Sequence, residues 1–505
     1  MQHRPFQRVL VANRGEIAVR IIRGCQERGL QAVAVYSEAD TNALHVRLAD
    51  DAELVGPPPS AASYLRADVI LDVAARTGCD AVHPGYGFLS ESAEFAQAVI
   101  DAGMVWIGPP PAAIAAMGSK TAARRLMRDA GVPVVPGTVE PVSNPAEALE
   151  IAASIGLPVM LKAAAGGGGK GMRAVFDAAD LPAALAGATS EAVKSFGDGS
   201  VYIEKLVDRP RHVEIQLLAD SHGTVVHLLE RDCSIQRRHQ KVVEEAPSPV
   251  LPAATRAEMA AAAIDAARAV DYVGVGTVEF LYDPAADSFY FLEMNTRLQV
   301  EHPVTELVTG IDLVHAQLRV AAGEPLWFGQ DDVVVNGHAI ECRIYAEDAT
   351  LGFRPSPGPL HGYREPAGPW VRVDSGVVEG MEVPIHYDPM IAKLAVWGAT
   401  RADAIERCRR ALRDYTIVGV PTSIPFFLAL FDDPDFLAGV YNTGLITSEW
   451  LDANLQSAPE VDDVLVAAAI LRFEASAAPR AEEAAPAGSQ WRRPYQWKTL
   501  RGTWR

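Results

Sequence analysis

The chain has 505 residues, 49% of them hydrophobic, so it can bury several cores and should divide into several domains. Its 45 Lys and Arg residues against 64 Asp and Glu residues give a formal charge of −19, which argues against nucleic acid and anionic membranes as partners. Five scattered cysteines without a CxxC pair exclude a disulfide framework or zinc site and indicate a reducing cytoplasm.

The amino-terminal sequence has no charged segment followed by an apolar core, and no apolar run reaches membrane-spanning length. We therefore expect a soluble, cytoplasmic α/β protein.

The first predicted domain, residues 1–117, is Rossmann-like. An apolar VLVA run, the tetrad NRGE, an amphipathic stretch and a second apolar run, QAVAVYS, together predict a βαβ unit. A second such unit ends before HPGYGFLSES. No GxGxxG follows the first strand, which argues against a dinucleotide cofactor.

The second predicted domain, residues 118–335, begins with a capped helix, GSKTAARRLMRDAG. A lid unit over 135–205 contains LPVMLKAAAGGGGKGMRAVF, in which a glycine-rich turn joins two strand-like flanks. No GK[ST] follows, so the turn is not a P-loop. Two alternatives stay open: a flap whose N–H groups cover phosphates, and a merely flexible hairpin.

Strands dominate residues 206–300, with one Ala-rich helix near 253–270. In GTVEFLYDPAADSFYFLE, two β-branched and aromatic runs flank DPAAD, which predicts a hairpin that turns near Ala286. Glu279 would then face Glu293, and such a pair of carboxylates needs a cation between them. Mg²⁺ prefers oxygen ligands, and the amide oxygen of Asn295 completes a plausible set.

The stretch EMNTRLQVEH alternates polar and apolar residues. As a continuous strand it would project one polar row, which consists of Glu293, Asn295, Arg297, Gln299 and Glu301. Arg297 would point toward an anion beside the metal, with Glu301 beyond it. The alternative is a solvated strand face with surface ion pairs.

Three lysines strengthen the interpretation of a phosphate site. Lys162 precedes the glycine turn, Lys120 opens a helix, and Lys241 follows His239 in RRHQKVVEEAP. Together with the pair of carboxylates predicted to bind Mg²⁺ and with a glycine flap, these lysines would neutralise and position phosphates, as ATP-dependent phosphoryl transfer requires. We therefore predict an ATP site.

Two further segments complete the chain. A mixed α+β domain is predicted over 336–448. The tail, 449–505, begins with a helix-like VDDVLVAAAILRF and an Ala/Pro/Glu linker, and it ends in WRRPYQWKTLRGTWR. This basic and aromatic end suits either an acidic partner or nucleic acid, but a tethered surface segment is the better interpretation given the overall charge.

Eight long motifs of this chain are highly specific, and they are AAAGGGGKGM, RPRHVEIQ, ERDCSIQRRHQKVVEEAP, EMNTRLQVEHPVTE, VLVANRGEIAVRI, HPGYGFLSES, GHAIECRIYAED and HYDPMIAKL. Together they closely resemble the biotin carboxylase component of biotin-dependent carboxylases of the acyl-CoA type. The resemblance covers about residues 5–450 and implies an ATP-grasp central domain between the Rossmann-like and carboxyl-terminal domains.

The resemblance implies the nucleotide and metal residues. ATP, Mg²⁺ or Mn²⁺, and bicarbonate give carboxyphosphate in this family, and the metal would be bound by Glu279, Glu293 and Asn295. The residues expected to contact nucleotide phosphates are Lys120, Lys162, Gly168, Gly169, His239 and Lys241. Those expected near adenine, ribose and the rest of the nucleotide are Glu204, Lys205, Leu206, His212 and Gln236.

The resemblance also implies the residues for bicarbonate and biotin. Arg297, Gln299 and the N–H of Val300 would hold bicarbonate, and Glu301 would deprotonate it. An ideal strand separates residues 297 and 301 by about 13 Å, so a twist or bulge must shorten that reach. Arg343 would stabilise the enolate-like biotin oxygen, with Asp388 supporting the arginine or the biotin pocket. Without the family, a salt bridge of Arg343 with Glu341 or Glu347 would be the preferred interpretation.

The chain departs from free-standing members of the family at Tyr345, where Asn is common, and it resembles acyl-CoA carboxylase α chains there. It contains no MKM-type biotinylation site. We therefore expect biotin on a separate carrier protein, together with separate carboxyltransferase subunits. Arg23, Trp370 and Arg372 match the family's pairing surface, which predicts a homodimer.

Three alternatives remain at this stage. One is another ATP-grasp ligase, and a second is the biotin carboxylase subunit of a pyruvate-type carboxylase. The third is a catalytically silent nucleotide-binding protein of a larger complex, against which the complete set of candidate ligands argues.

Overall fold

The computed structural model describes residues 6–138, 140–142, 144–163, 172–196, 198–455, 468–470 and 472, with the backbone alone at Lys120, Thr121, Ser195 and Phe196. The chain forms two units, residues 1–455 and 456–505. The predicted tail helix and the basic aromatic end fall in the second unit. Within it, residues 468–470 and 472 are helical, and the rest lies outside the described residues.

A parallel five-stranded sheet forms the amino-terminal domain. Its strands are β1 (Arg8–Val11), β2 (Gln31–Ser37), β3 (Asp51–Gly56), β4 (Ala81–His83) and β5 (Val105–Trp106). Its helices are α1 (Gly15–Glu27), α2 (Leu44–Leu48), α3 (Ala67–Arg76), α4 (Ala93–Asp101) and α5 (Pro111–Gly118). The strand order β3-β2-β1-β4-β5, with every neighbouring pair parallel, confirms the Rossmann-like prediction.

The apolar runs of the sequence form the core of this sheet. Val9, Leu10 and Val11 of β1 are buried, and Ile17 and Ile21 of α1 pack with Val9 and Val11. Gly15, the first helical residue, has a φ of 66°, a left-handed conformation that glycine adopts at low cost. The NRGE tetrad is therefore a tight turn from strand to helix.

The lid unit is a small antiparallel sheet backed by helices. After α6 (Lys120–Asp129), the elements are α7 (Pro145–Ile155), β6 (Val159–Ala163), β7 (Met172–Val175), α8 (Leu181–Phe196) and β8 (Val201–Lys205). The strand order is β7-β6-β8, and the core includes Val159, Leu161, Val175 and Ile203. Both predicted flanks of the glycine turn are strands, whereas residues 164–171 lie outside the described residues.

An eight-stranded antiparallel sheet carries most of the predicted site. Its first strands are β9 (Arg211–Ala219), β10 (Val225–Arg237), β11 (Gln240–Ala246), β12 (Gly274–Asp283) and β13 (Ser288–Asn295). The Ala-rich helix is α9 (Ala253–Arg268), followed by α10 (His302–Thr309) and α11 (Leu313–Ala321).

The carboxyl-terminal part of the first unit extends the same sheet. Its strands are β14 (His338–Tyr345), β15 (Glu347–Asp348), β16 (Arg354–Pro355), β17 (Gly358–Pro359), β18 (Gly362–Arg364), β19 (Val371–Ser375), β20 (Glu382–Val383), β21 (Met390–Gly398) and β22 (Thr416–Val418). Its helices are α12 (Arg401–Asp414), α13 (Ile424–Leu430), α14 (Pro434–Ala438) and α15 (Ser448–Asn454). The sheet order β13-β12-β9-β10-β11-β14-β21-β19 crosses the predicted domain boundary at 335/336 without interruption.

All five cysteines are free and buried. Within the described ranges, the helices are all too short or too polar to cross a membrane.

Candidate active site

The β12–β13 hairpin places Glu279 directly opposite Glu293, and Thr277 opposite Asn295. The strands turn between Asp283 and Ser288, and a β-bulge follows Glu279. The predicted pairing of the two carboxylate residues is confirmed, and neighbouring positions on paired strands point to the same face.

Four side chains surround the Glu279 carboxylate. Its Oε1 accepts hydrogen bonds from Lys241 Nζ at 2.8 Å, Asn295 Nδ2 at 2.8 Å and Gln299 Nε2 at 3.0 Å. His212 Nε2 lies 2.9 Å from Oε2. Burial alone would raise the pKa of Glu279, but the Lys241 ammonium and His212 hold it below its ordinary value. The carboxylate is therefore ionised and ready to bind a cation.

Lys241 joins three buried carboxylates. Its Nζ lies 2.5 Å from Glu214 Oε2, 2.8 Å from Glu279 Oε1 and 2.8 Å from Glu301 Oε1. Burial would lower the pKa of this lysine, yet the three carboxylates raise it well above its ordinary value. Arg231, fully buried, adds a second cation to Glu214 at 2.5 Å. Buried cations therefore already pair with these carboxylates, and a metal at Glu279 would share that carboxylate with Lys241.

The polar row of EMNTRLQVEH is not one continuous strand, so this part of the prediction is wrong. β13 ends at Asn295, residues 296–301 form an irregular segment, and α10 begins at His302. Pairing with β12 ends at Asn295, so the ladder no longer keeps the segment extended. The segment is therefore not held at the separation of about 13 Å that an ideal strand would impose on residues 297 and 301.

Arg297 donates hydrogen bonds to three polar side chains. Its guanidinium donates to Asn295 Oδ1 at 2.9 Å, to Gln299 Oε1 at 2.8 Å and to Glu91 Oε2 at 3.1 Å. Arg297 and Gln299, the predicted bicarbonate residues, are thus in direct contact, and Gln299 also reaches the candidate metal carboxylate Glu279. An anion held here would lie beside the metal site.

Glu301 and Arg343 also come together. Arg343 Nη2 donates to Glu301 Oε2 at 3.0 Å, and its Nε donates to Glu244 Oε1 at 2.7 Å. The ion-pair alternatives proposed from sequence, Glu341 and Glu347, are wrong, because Glu347 pairs instead with Arg237.

The two carboxylates on Arg343 differ in acidity. Burial would raise the pKa of Glu301, but Lys241 and Arg343 hold it well below its ordinary value. Burial raises the pKa of Glu244 to about 7 although Arg343 opposes the shift. Glu301 is therefore a charged acceptor at neutral pH, as a base for bicarbonate must be.

A cavity of about 320 Å³ adjoins the hairpin. Glu293 and Asn295 line it, together with Gly118 beside the first turn of α6 and with Glu91. Lys120 begins α6, so the N-terminus of this helix, which Ser119 caps, adjoins the candidate metal ligands. The arrangement suits phosphate groups bound together with a divalent cation.

The donor set fits Mg²⁺ in part. Glu279 and Glu293 are carboxylates that oppose each other across one hairpin, as magnesium sites commonly use. The Asn295 amide donates to Glu279, and its oxygen accepts from Arg297. The Asn295 oxygen has a second lone pair, which would be the one available to a metal.

The lid residues form a separate polar group. Glu204 pairs with Lys162 at 2.5 Å and with Arg124. Lys205 Nζ donates to the carbonyls of Gly156 and Leu157, at 3.1 Å and 2.9 Å. The N–H of Leu206 donates to the Pro158 carbonyl at 2.9 Å, so this N–H is occupied by the lid itself.

Three nucleotide candidates lie on or near the β10–β11 hairpin. Gln236 Nε2 lies 3.0 Å from His212 Nδ1, which connects it to Glu279. His239 is exposed in the two-residue turn, which it forms with Arg238. The predicted contacts of these residues with nucleotide stay predictions. Gly168 and Gly169 lie outside the described residues, as does the side chain of Lys120.

Asp388 is not one of the carboxylates in the Arg343 ion pairs, Glu244 and Glu301, but it lies near enough for the guanidinium to oppose the rise in its pKa that burial causes. It lines a second cavity of about 350 Å³ that also contains Arg14 and Met390. Its Oδ1 accepts the Met390 N–H at 2.9 Å. A role in the biotin pocket stays a prediction.

Sequence reasoning missed three glutamates of the cluster. Glu91, Glu214 and Glu244 all lie within the quoted motifs but received no role. Alternation along a strand would have indicated Glu214, because it stands two residues after His212 on β9 and so shares its face. Glu91 and Glu244 are brought in by tertiary contacts, for which the sequence has no local signal.

Comparison with known proteins identifies the family. The model of the biotin carboxylase N-terminal domain matches residues 5–114, that of the carbamoyl-phosphate synthase L chain ATP binding domain matches 119–328, and that of the biotin carboxylase C-terminal domain matches 341–448.

Individual relatives agree with these domain matches. A biotin carboxylase of Nostoc is 52% identical over 441 residues, which cover 87% of this chain and 98% of that protein. A pyruvate carboxylase subunit of Methanothermobacter thermautotrophicus is 52% identical over 463 residues, which cover 91% of this chain and 94% of the relative.

A solved structure shows the same architecture. The biotin carboxylase domain dimer of Hydrogenobacter thermophilus 2-oxoglutarate carboxylase, in complex with MgADP, ADP and bicarbonate, superposes with a TM-score of 0.82 at 45% identity. The match covers 90% of this chain and 100% of that one. With its ATP-grasp centre between two biotin carboxylase domains, this chain belongs to the biotin carboxylase family of ATP-dependent ligases.

Proposed function

We propose that the chain carboxylates biotin with bicarbonate at the expense of ATP, as the first half-reaction of an acyl-CoA carboxylase. The observation that carries the proposal is the shared ion-pair cluster. Lys241 connects the candidate metal residue Glu279 to the candidate base Glu301, and Glu301 in turn contacts Arg343. One network of ion pairs therefore connects the residues proposed for the metal, the base and biotin.

Glu279 and Glu293 would hold Mg²⁺ or Mn²⁺, with Asn295 as a third ligand. The cation supplies charge neutralisation at the nucleotide phosphates. Lys241 would then exchange its contact with Glu279 for a phosphate oxygen. Arg297, Gln299 and the Val300 N–H would hold bicarbonate, while Glu301 accepts its proton.

The deprotonated bicarbonate attacks the γ-phosphorus, and the bond to the bridging oxygen breaks to release ADP. Carboxyphosphate then separates into CO₂ and phosphate, and the phosphate removes the N1′ proton of biotin. Arg343 stabilises the enolate-like oxygen because its guanidinium stays charged and offers several donors. N1′ attacks CO₂ to give carboxybiotin.

The remaining site residues are proposed on the family resemblance. Phosphate contacts are assigned to Lys120, Lys162, Gly168, Gly169 and His239, and nucleotide or ribose contacts to Glu204, Lys205, Leu206, His212 and Gln236. Asp388 is assigned to the biotin pocket. The proposed domains are 1–117, 118–335 with a lid at 135–205, and 336–448, with a tail at 449–505.

We also propose the setting of the enzyme. Biotin would arrive on a separate carrier protein and leave to a separate carboxyltransferase, which is supported by relatives that are named as carboxylase subunits. Five free cysteines are consistent with the cytoplasm. A homodimer is supported by the dimeric biotin carboxylase domain of the Hydrogenobacter relative.

A pyruvate-type carboxylase is the second candidate setting. The relative from Methanothermobacter, which is named for pyruvate carboxylase, matches as well as the one named simply as biotin carboxylase. The two settings share the half-reaction and differ only in the final acceptor.

The test incubates the protein with ATP, Mg²⁺, labelled bicarbonate and candidate biotinylated carriers. We expect label on a carrier, bicarbonate-dependent ATP hydrolysis, and loss of both when EDTA removes the metal.

Glu293→Gln should lower turnover by about 100-fold or more, because it removes one charge that holds the metal. Its circular dichroism and melting temperature should stay near the wild-type values. ATP hydrolysis that needs ammonia instead of bicarbonate would favour another ATP-grasp ligase. Unchanged turnover in Glu293→Gln would contradict the metal site.

A further inference from the structure

Lys393 is a fully buried lysine that reaches the candidate bicarbonate segment from outside the assigned site. It lies on β21, and its Nζ donates to the Val300 carbonyl at 2.9 Å. The same Nζ lies 3.2 Å from Glu16 Oε2 of α1 and 3.7 Å from Asp374 Oδ2 of β19. One ammonium therefore links the Rossmann-like sheet domain, the segment before α10 and the edge of the large sheet.

The burial of Lys393 requires these partners. Burying an ammonium without compensation is costly, so a lysine with no exposed surface indicates a specific task for its charge. Burial would lower its pKa, but Glu16, Glu341 and Asp374 raise it above the ordinary value, so the group stays charged. A charged donor holds a backbone carbonyl more strongly than a neutral one.

The segment that Lys393 contacts lies outside the strand ladder. After β13 ends at Asn295, residues 296–301 pair with no strand in the part of the chain that the structure describes. Thr296 N–H donates to Glu91 at 3.3 Å, and His302 Nδ1 lies 2.8 Å from the Gln299 carbonyl. Lys393 fixes the next carbonyl, that of Val300.

The strand register couples Lys393 to the assigned arginine. Lys393 stands directly opposite Arg343 in the β14–β21 pair. Arg343 holds the carboxylate of Glu301, and Lys393 holds the carbonyl of Val300. Two neighbouring cations on neighbouring strands thus fix two successive residues of the bicarbonate segment.

We propose that Lys393 is a positioning residue for bicarbonate, which sets the backbone at Val300 and Glu301 through its bond to the Val300 carbonyl. This inference rests on the proposed function, because it assumes that Val300 and Glu301 bind and deprotonate bicarbonate. Lys393 is not one of the residues assigned to ATP or to the metal. Its loss should therefore weaken bicarbonate use selectively.

The test compares wild type, Lys393→Met and Lys393→Arg by bicarbonate-dependent ATP hydrolysis. In Lys393→Met we expect the KM for bicarbonate to rise about tenfold or more, as for one lost hydrogen bond from a charged donor, and kcat to fall. The KM for ATP should stay within about twofold of wild type. Lys393→Arg, which retains the charge, should recover part of the bicarbonate affinity.

Glu16→Gln is the matched control, because it breaks the buried ion pair but leaves Lys393 on Val300. Its KM for bicarbonate should remain close to that of wild type. If Lys393→Met fails to fold, the double variant Glu16→Gln/Lys393→Met, which also removes the uncompensated carboxylate, is assayed by the same criterion.

The outcomes separate the two proposals. A wild-type protein without bicarbonate-dependent ATP hydrolysis contradicts the proposed function itself. An active wild type, together with a Lys393→Met whose KM for bicarbonate stays within about twofold, overturns the positioning role alone. Equal rises in the KM values for ATP and bicarbonate, or an equal rise in Glu16→Gln, also overturn it.

Discussion

Glu341 is a fully buried acid in the middle of β14, opposite Glu244 of β11. Among the described residues, neither of its carboxylate oxygens has a hydrogen-bond partner. Burial raises its pKa well above the ordinary value, although Lys393 opposes the shift. Burial therefore favours the protonated form of this side chain in the folded protein.

This protonation predicts a pH-dependent stability. The unfolded chain releases the Glu341 proton near pH 4.3, whereas the folded chain releases it at a higher pH, so between these two pKa values the free energy of unfolding falls by about 1.4 kcal/mol per pH unit. Glu341→Gln supplies a neutral side chain of similar shape. Urea unfolding should show the variant gaining stability over wild type as the pH rises from about 5 to about 8.

Glu306 is a control of opposite sign. Burial would raise its pKa, but Arg20 and Arg372 lower it to about 2. The stability it contributes is complete above the unfolded pKa of about 4.3, is lost as the pH falls toward 2, and amounts to about 3 kcal/mol. Glu306→Gln should destabilise at neutral pH. If the free energies of unfolding of wild type and Glu341→Gln change in parallel with pH, the raised pKa assigned to Glu341 is contradicted.

The residue types of the site could be predicted from sequence, but several of their contacts could not. The family motifs named Arg343 and Glu301 separately. Their 3.0 Å contact joins β14 to a segment 42 positions earlier in the chain. Such pairings depend on how distant strands meet in the sheet, which local patterns do not encode.

At the scale of elements, the predicted pairing of Glu279 with Glu293 in the β12–β13 hairpin is correct, but it depends on a β-bulge that was not predicted. The pair Asp283 and Ser288 closes the turn, and this register alone would set Glu279 opposite Leu292. The bulge after Glu279 shifts the register by one residue and brings Glu293 opposite. The sequence prediction assumed a symmetric turn about Ala286, and this turn leads to the same pair without a bulge. No feature of the sequence indicates the bulge.

The β10–β11 hairpin allows a test of one predicted phosphate contact. Its two-residue turn consists of Arg238 and His239, with φ values of 49° and 68°. This left-handed turn suits Asn or Gly, and other residues adopt it at a cost of about 1 kcal/mol each.

Asn at either position should therefore relieve backbone strain to a similar extent. We expect Arg238→Asn and His239→Asn both to raise stability by about 0.5–1 kcal/mol in urea unfolding. Only His239→Asn should raise the KM for ATP, by about tenfold, because only His239 is assigned to phosphate. Equal KM values for ATP in the two variants would contradict that assignment.

At the scale of the whole molecule, one sheet combines two predicted domains. The sequence divides the chain at 335/336, but β14 pairs with β11 and continues the sheet to β21 and β19. Composition and periodicity locate elements, but they do not reveal which distant strands pair. This continuity brings Arg343 of one predicted domain onto Glu301 of the other.

The predicted homodimer can be tested by a substitution at one exposed residue of the proposed pairing surface. Trp370 exposes 58% of its surface, with its ring 4.8 Å from that of Trp397, and exposed Arg23 lies on α1. Light scattering at micromolar concentration and about 0.15 M salt, which screens the repulsion between chains of charge −19, should give about 108 kDa, twice the chain mass of 54.1 kDa.

Trp370→Asp should weaken association by about 100-fold and shift the mass toward the monomer, because buried tryptophans dominate interface energies. Val440→Asp, at a side chain with 61% exposure, should leave the dimer intact. A monomeric wild type, or a Trp370→Asp that stays dimeric, would contradict this pairing surface.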